Sequence, residues 1–149
     1  MSAADTCPIT GLTKIILATD GSEHSEKALV EALGLAKTCG TVLSVVTVVE
    51  MNAEYAALAP KAVEKAEVEA KQILDAAKDR SAEESVQFEA VAVHGEDVAE
   101  VLSDQAEKLG ADMIVMGRHG KRKGLKKLLM GSTVSKLISH TPCKVLVVP

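Results

Sequence analysis

The sequence predicts one doubly wound α/β domain, with five parallel strands in the order 3-2-1-4-5 and helices on both faces. Short apolar, β-branched runs alternate along the 149 residues with segments of helical periodicity. Most of these runs are apolar throughout, which is typical of strands covered on both faces. Aromatic residues are nearly absent, because Tyr55 and Phe88 are accompanied by no Trp. The core is therefore expected to consist of aliphatic side chains.

The first half of the chain predicts two strands and two helices. Lys14–Thr19 is a short apolar run that indicates a buried strand. The next segment has apolar residues at helical spacing and ends at Gly40, a natural helix stop. Val42–Val49 predicts the second strand. Residues 56–81, rich in Ala, Glu and Lys with Pro60 early, predict a long solvated helix.

The second half predicts three more strands and two helices. Val86–Val93 alternates in a way that indicates a third strand near the edge of the sheet. Val98–Leu109 predicts a helix, and Asp112–Met116 predicts the fourth strand. A glycine- and lysine-rich loop follows, then a short helix over 132–139 and a final strand at Lys144–Val148. No linker or internal repeat divides the chain, so one domain is expected.

Composition and the N-terminal residues exclude several classes of protein. A net charge of −4 disfavours nucleic-acid binding, as does the scarcity of aromatic side chains for base stacking. Residues 1–12 lack the features of a signal peptide and are expected to form a flexible leader before a domain at 13–149. No apolar run reaches the roughly 18 residues of a membrane helix. The chain has three cysteines, Cys7, Cys39 and Cys143. Because they are odd in number and far apart, they predict neither a disulfide framework nor a zinc site, which indicates a reducing, cytoplasmic compartment.

The loop from Gly117 to Thr133 carries the strongest functional signal. Its glycines allow the backbone to approach a ligand or adopt positive φ, and free amides there form an anion-binding concavity. A helix that begins at Gly131-Ser132-Thr133 adds the positive end of its dipole. Either piece alone is more often a plain turn or cap, but both on one loop beyond a strand favour a polyphosphate site. The P-loop and dinucleotide glycine motifs are both absent.

These motifs resemble those of the universal stress protein family. Within 117–133, a Gly-x-x-Gly pair, a spacer and Gly-Ser resemble that family's ATP-binding signature. Ile15–Ser22 resembles its opening motif and Thr141–Val148 its ending. The similarity covers nearly all of 14–149. The spacer Lys121–Met130 is one residue longer than is usual in the ATP-binding members.

The resemblance implies that the chain binds an adenine nucleotide, and ATP is the expected one. Whether Mg²⁺ accompanies it is left open, and the sequence does not decide between ATP and AMP or cyclic AMP. The base and ribose should lie near the ends of three strands, and the phosphates on the glycine loop. For Asp20, a hydrogen bond to the nucleotide and a plain turn or cap role are weighed equally. The implied base and ribose residues are Ala18, Thr19, Asp20, Val48 and Met116; the implied phosphate residues are Gly117, His119, Gly120, Gly131, Ser132 and Thr133.

Catalysis has little support in the sequence, since no Ser-His-Asp set or paired carboxylates accompany the loop. Slow hydrolysis at most is expected. The alternative is a family member that binds no nucleotide and acts as a dimer through protein partners. A nucleotidyl-transferring enzyme would carry a His-x-Gly-His-type motif after the first strand, where this chain has Thr19-Asp20-Gly21-Ser22.

Two further features concern partners. Six of the 17 Lys and Arg residues fall on the loop, where they indicate either a positive field for ATP or an acidic partner, or a solvated tip. The apolar strand Val145–Val148 lies at a predicted edge, and such edges are normally covered. We expect a two-fold homodimer through this strand. The basic residues are Arg118, Lys121, Arg122, Lys123, Lys126 and Lys127.

Overall fold

The computed structural model describes residues 6–118 and 131–149, which form a five-stranded parallel sheet flanked by helices. The strand order is β3-β2-β1-β4-β5, so the predicted fold class and strand order are confirmed. In chain order the elements are β1 Lys14–Ala18, α1 Glu23–Cys39, β2 Val42–Glu50, α2 Ala53–Leu58, α3 Pro60–Glu83, β3 Phe88–Gly95, α4 Val98–Leu109, β4 Met113–Gly117, α5 Ser132–His140 and β5 Lys144–Val148.

The region predicted as one long helix is two helices. Asn52 caps α2 by accepting a hydrogen bond from the amide of Tyr55 at 2.7 Å. Ala59 then leaves the helical conformation, with φ −132° and ψ 60°, and Pro60 occupies the start of α3. A residue that precedes proline avoids the α region because the proline ring crowds it, so the helix is interrupted at Ala59 and Pro60 starts the next one, in the first turn as predicted.

Two hydrophobic cores lie on opposite faces of the sheet. Successive side chains of a strand point to opposite faces, so Ile15 and Leu17 enter one core and Ile16 enters the other. The first core is covered by α1 and α3, which contribute Leu33 and Leu74 among others. The second is covered by α4 and α5, as Leu102 of α4 illustrates. This arrangement leaves the carboxyl ends of the strands facing one edge of the molecule.

The amino ends of β1 and β4 are tied together by Asp112. Its Oδ2 accepts hydrogen bonds from the amide and the hydroxyl of Thr13, both at 2.7 Å, and from the amide of Lys14 at 3.1 Å. The Thr13 hydrogen bonds hold the pKa of the Asp112 carboxyl below its ordinary value. These bonds fix the register of the central strand against residues almost a hundred positions away.

The expectation that the cysteines form no disulfide is wrong. Cys7 and Cys39 form a disulfide with their Cα atoms 4.6 Å apart, whereas Cys143 remains a free thiol. Folding brings the leader back onto the end of α1, so a sequence separation of 32 residues does not keep the two sulfurs apart. Ile9 packs against the first core and Leu12 is buried in it. The cysteine count therefore no longer argues for a reducing compartment.

In residues 6–118 and 131–149, no helix combines the length and the apolar character needed to cross a membrane.

Candidate functional site

The chain that leaves β1 is anchored to β2 before it reaches α1. The amide of Thr19 donates to the carbonyl of Val46 at 3.0 Å, and the hydroxyl of Thr47 donates to the carbonyl of Thr19 at 2.7 Å. Asp20 Oδ1 accepts a hydrogen bond from the amide of Ser22 at 2.9 Å. Asp20 thus forms a side-chain turn that leads into the helix, which is one of its two predicted roles, and its contact with a nucleotide stays a prediction.

Gly117, the last residue of β4, is buried where β4 meets the first turn of α1. A methyl group at Gly117 would lie 2.8 Å from the backbone carbonyl carbon and oxygen of His24, closer than real contacts of this kind. Gly117 does not have the positive φ that the sequence allowed for. Its glycine is required by close packing of α1, a role that the sequence did not indicate.

The two described ends of the glycine loop are held next to each other. The amide of Arg118 donates to the carbonyl of Val148 on β5 at 2.8 Å, and the amide of Gly131 donates to the carbonyl of Arg118 at 3.2 Å. A methyl group at Gly131 would lie 3.2 Å from that same Arg118 oxygen. These two ends, which we call the stem of the loop, are therefore joined by a backbone hydrogen bond that leaves little room for a side chain at Gly131.

The amino end of α5 differs from those of its neighbours. The side chain of Ser22 caps α1 by accepting from the amide of Ser25, and Asp97 caps α4 by accepting from the amide of Glu100. Gly131 stands at the same position of α5, with φ −60° and ψ 150°, and no side chain in the described residues caps this helix. Its first amides and the positive end of its dipole are available to an anion.

A cavity of about 420 Å³ opens at this edge of the sheet, at the carboxyl ends of the strands. All of the predicted nucleotide residues that the structure describes line it. His119 and Gly120 lie outside the described residues, as does the basic segment 121–127. The predicted residues that line the cavity are Ala18, Thr19, Asp20, Val48, Met116, Gly117, Gly131, Ser132 and Thr133.

The sequence missed one wall of this cavity. The predicted residues came from the ends of the first, second and fourth strands, but the turn after β3 reaches the same edge. The amide of Met51 donates to the carbonyl of Gly95 at 3.0 Å, which joins the end of β3 to the chain after β2. A parallel sheet puts all its carboxyl ends at one edge, and that rule pointed to this turn as well. The additional lining residues are Ser25, Val46, Glu50, Glu96, Asp97, Val98, Ala99, Leu102, Arg118, Val134 and Lys136.

An ion pair between Asp97 and Lys136 joins α4 to α5 at the cavity wall. Asp97 also caps α4, so one carboxylate serves both helices. The Lys136 ammonium lowers the pKa of the Asp97 carboxyl, and Asp97 raises the pKa of Lys136. Within the described residues, no group of three or more His, Cys, Asp or Glu side chains is arranged to hold a metal ion.

Comparison with known proteins assigns the family. The model of the universal stress protein family matches residues 11–149. The chain belongs to the universal stress protein family. It is 34% identical to the universal stress protein YxiE of Bacillus subtilis, and the match covers 91% of this chain and 97% of YxiE.

Solved structures of the family share the fold. The universal stress protein UspA from Lactobacillus plantarum superimposes with a TM-score of 0.79 at 26% identity, and the match covers 92% of this chain and 97% of that one. A universal stress protein from Archaeoglobus fulgidus, solved in complex with dAMP, superimposes with a TM-score of 0.68 at 20% identity and covers 95% and 100% of the two chains.

Proposed function

We propose that this universal stress protein binds ATP in the cavity at the carboxyl edge of the sheet and holds the nucleotide instead of turning it over. The observation that carries this proposal is the uncapped amino end of α5, which faces the cavity. Backbone amides at a helix amino end bind phosphate without any charged side chain. Ser132 and Thr133 add hydroxyl donors at the same place.

The remainder of the cavity suits a base and a ribose. Ala18, Val46, Val48 and Met116 line it with apolar surface at the ends of three neighbouring strands. The volume of about 420 Å³ lies within the range of roughly 300–1,000 Å³ that is usual for small-molecule sites. Asp20 also lines the cavity, and its carboxylate would accept a hydrogen bond from the ribose or contact a Mg²⁺ carried by the phosphates.

The dAMP complex of the Archaeoglobus fulgidus relative supports an adenine nucleotide as the ligand class. We assign ATP to this chain because the sequence of 117–133 resembles the ATP-binding signature of the family. The protein would then act by presenting to a partner protein a surface that depends on whether nucleotide is bound. A cytoplasmic location, where ATP is abundant, belongs to the same proposal.

A titration of the purified protein with ATP and with adenosine tests the site. Gly131→Val places a branched side chain against the Arg118 carbonyl and in front of the α5 amides, so we expect ATP affinity to fall at least tenfold in isothermal titration calorimetry. Adenosine affinity should change much less, because its contacts lie at the strand ends.

Gly34→Ala is the matched control for this titration. Gly34 lies within α1, and a methyl group there meets no atom within 4 Å. The control should bind ATP as the wild type does. Equal ATP affinity in Gly131→Val and the wild type, or no ATP binding by the wild type at millimolar concentration, would remove the site.

A further inference from the structure

The Cys7–Cys39 disulfide lies at the end of α1 that is remote from the cavity. Ser25, in the first turn of α1, lines the cavity, whereas Cys39 is the last residue of this 17-residue helix. At about 1.5 Å per residue the two ends are separated by roughly 20 Å. The disulfide is therefore independent of the proposed nucleotide site.

The two sulfurs have different surroundings. Cys7 is half-buried between the exposed residues Thr6 and Pro8, whereas Cys39 is 4% exposed. Cys39 also ends a helix, where the negative end of the dipole disfavours a thiolate. Cys7 is consequently the sulfur that a small thiol or disulfide reaches first, and Cys39 is the second, resolving thiol.

The disulfide fastens the residues that precede Ile9, because Ile9 already packs against the first core. Leu12 itself is buried in the first core and holds its own position. Nearer the N-terminus, the Thr6 hydroxyl donates to the Thr38 carbonyl at 3.3 Å. Breaking the disulfide removes the covalent link between residues 6–8 and the end of α1.

We infer that Cys7 and Cys39 form a reversible redox site that is oxidised by low-molecular-weight disulfides of the glutathione type. The Cys7 thiolate attacks the small disulfide, forms a mixed disulfide and releases one thiol. The Cys39 thiol then attacks the Cys7 sulfur, expels the second small thiol and closes the protein disulfide. Two protein thiols are oxidised, one small disulfide is reduced to two thiols, and the two protons end on those thiols.

Cys143 cannot replace either partner. It packs against the second core, on the opposite face of the sheet from Cys39, which belongs to the first. Its sulfur lies 3.2 Å from the Thr141 hydroxyl. The chain thus supplies its own control, a thiol separated from the pair by the sheet.

The test starts from protein reduced with dithiothreitol, transferred to oxidised glutathione, alkylated and weighed by mass spectrometry. The wild type and Cys143→Ser should each lose two alkylatable thiols and retain no glutathione on Cys7. Cys39→Ser should instead trap one glutathione on Cys7. A wild type that keeps glutathione on Cys7 would overturn the proposal.

Two physical readouts test whether the bond fastens the segment. Reduction should lower the thermal midpoint of the wild type and of Cys143→Ser by roughly 10 °C, because it removes the crosslink that closes a loop of 32 residues. The midpoint of Cys7→Ser should not change. Amide exchange at Cys7 should become at least tenfold faster. Equal midpoints and equal exchange in both redox states would overturn the proposal. ATP affinity should be the same in both states, so failure here is distinguishable from failure of the nucleotide site.

Discussion

Gly117 has a packing role in addition to its place at the cavity. Its Cα faces the backbone of His24 so closely that any Cβ would force the first turn of α1 away from β4. We expect Gly117→Ala to lower the free energy of unfolding by about 1–3 kcal/mol, the usual cost of overpacking a close contact. Urea denaturation measures this change.

The comparison variant is again Gly34→Ala. Alanine at this open helical position should raise the free energy of unfolding by roughly 0.5–1 kcal/mol, since glycine is the poorer helix former. A Gly117→Ala protein as stable as the wild type would show that α1 and β4 are not packed as described.

Lys136 lowers the pKa of the Asp97 carboxyl through its hydrogen bond and its charge. Lys136→Met removes that partner, so the pKa of Asp97 should rise toward its ordinary value of 3.8. A carbon-13 NMR titration of the Asp97 carboxyl measures the shift. Lys136→Arg retains the charge and should leave the pKa of Asp97 low; an unchanged pKa in Lys136→Met would contradict the ion pair.

Among the elements, the start of β1 depends on Asp112. Its pKa is lower in the folded than in the unfolded chain, so the unfolded state takes up the proton first as the pH falls. The stabilisation is complete above the unfolded value near 3.8 and is lost as the pH falls through the folded value. Asp112→Asn should be less stable than the wild type at pH 7 by about 1–3 kcal/mol, with the difference shrinking in acid.

Urea unfolding of Asp112→Asn and the wild type between pH 7 and pH 3 measures this difference. Glu107→Gln, on the exposed surface of α4, is a suitable control that removes one carboxylate without these hydrogen bonds. A gap between Asp112→Asn and the wild type that is constant with pH would show that the charge of Asp112 has no part in it.

Sequence patterns predicted elements best where local chemistry determines the boundary. The α4 boundaries are as predicted because Asp97 caps one end and Gly110 ends the other in the left-handed conformation. β3 begins at Phe88 instead of Val86, because the Val86 amide donates to the Ser81 carbonyl and continues the turn after α3. Alternation shows which residues face a core, but not where the ladder to β2 begins.

Across the whole molecule, the sequence indicated the cavity-lining residues at the strands that carry recognisable motifs and missed lining residues that depend on the fold. The wall formed by Glu96, Asp97 and Lys136 comes from the turn between β3 and α4 and from α5, which meet only once the sheet is assembled. The Cys7–Cys39 pair is of the same kind. Spacing along a chain does not report that two residues 32 positions apart become neighbours.

The outer edge of β5 provides the test of the proposed homodimer. The Lys144 amide and the Val148 carbonyl form hydrogen bonds with the residues that flank β4. The alternate residues Val145 and Val147 therefore direct their amides to the outer edge. Val147→Pro removes one outward donor without removing a β4 hydrogen bond. Light scattering at micromolar concentration should give twice the chain mass of 15.6 kDa for the wild type and the single mass for Val147→Pro.

Val147→Thr retains the outward amide and should remain dimeric. A wild type with the mass of one chain would end the dimer proposal, and a dimeric Val147→Pro would move the interface away from this edge.

The contact between the Gly131 amide and the Arg118 carbonyl has a consequence for the number of residues that can lie between them. Because these two residues meet directly, the number of residues between them can change at only a slowly growing entropic cost. The start of α5 is therefore fixed next to the end of β4 by a backbone hydrogen bond. A spacer one residue longer than usual is compatible with this arrangement, because the added length does not have to displace the amides at the start of α5.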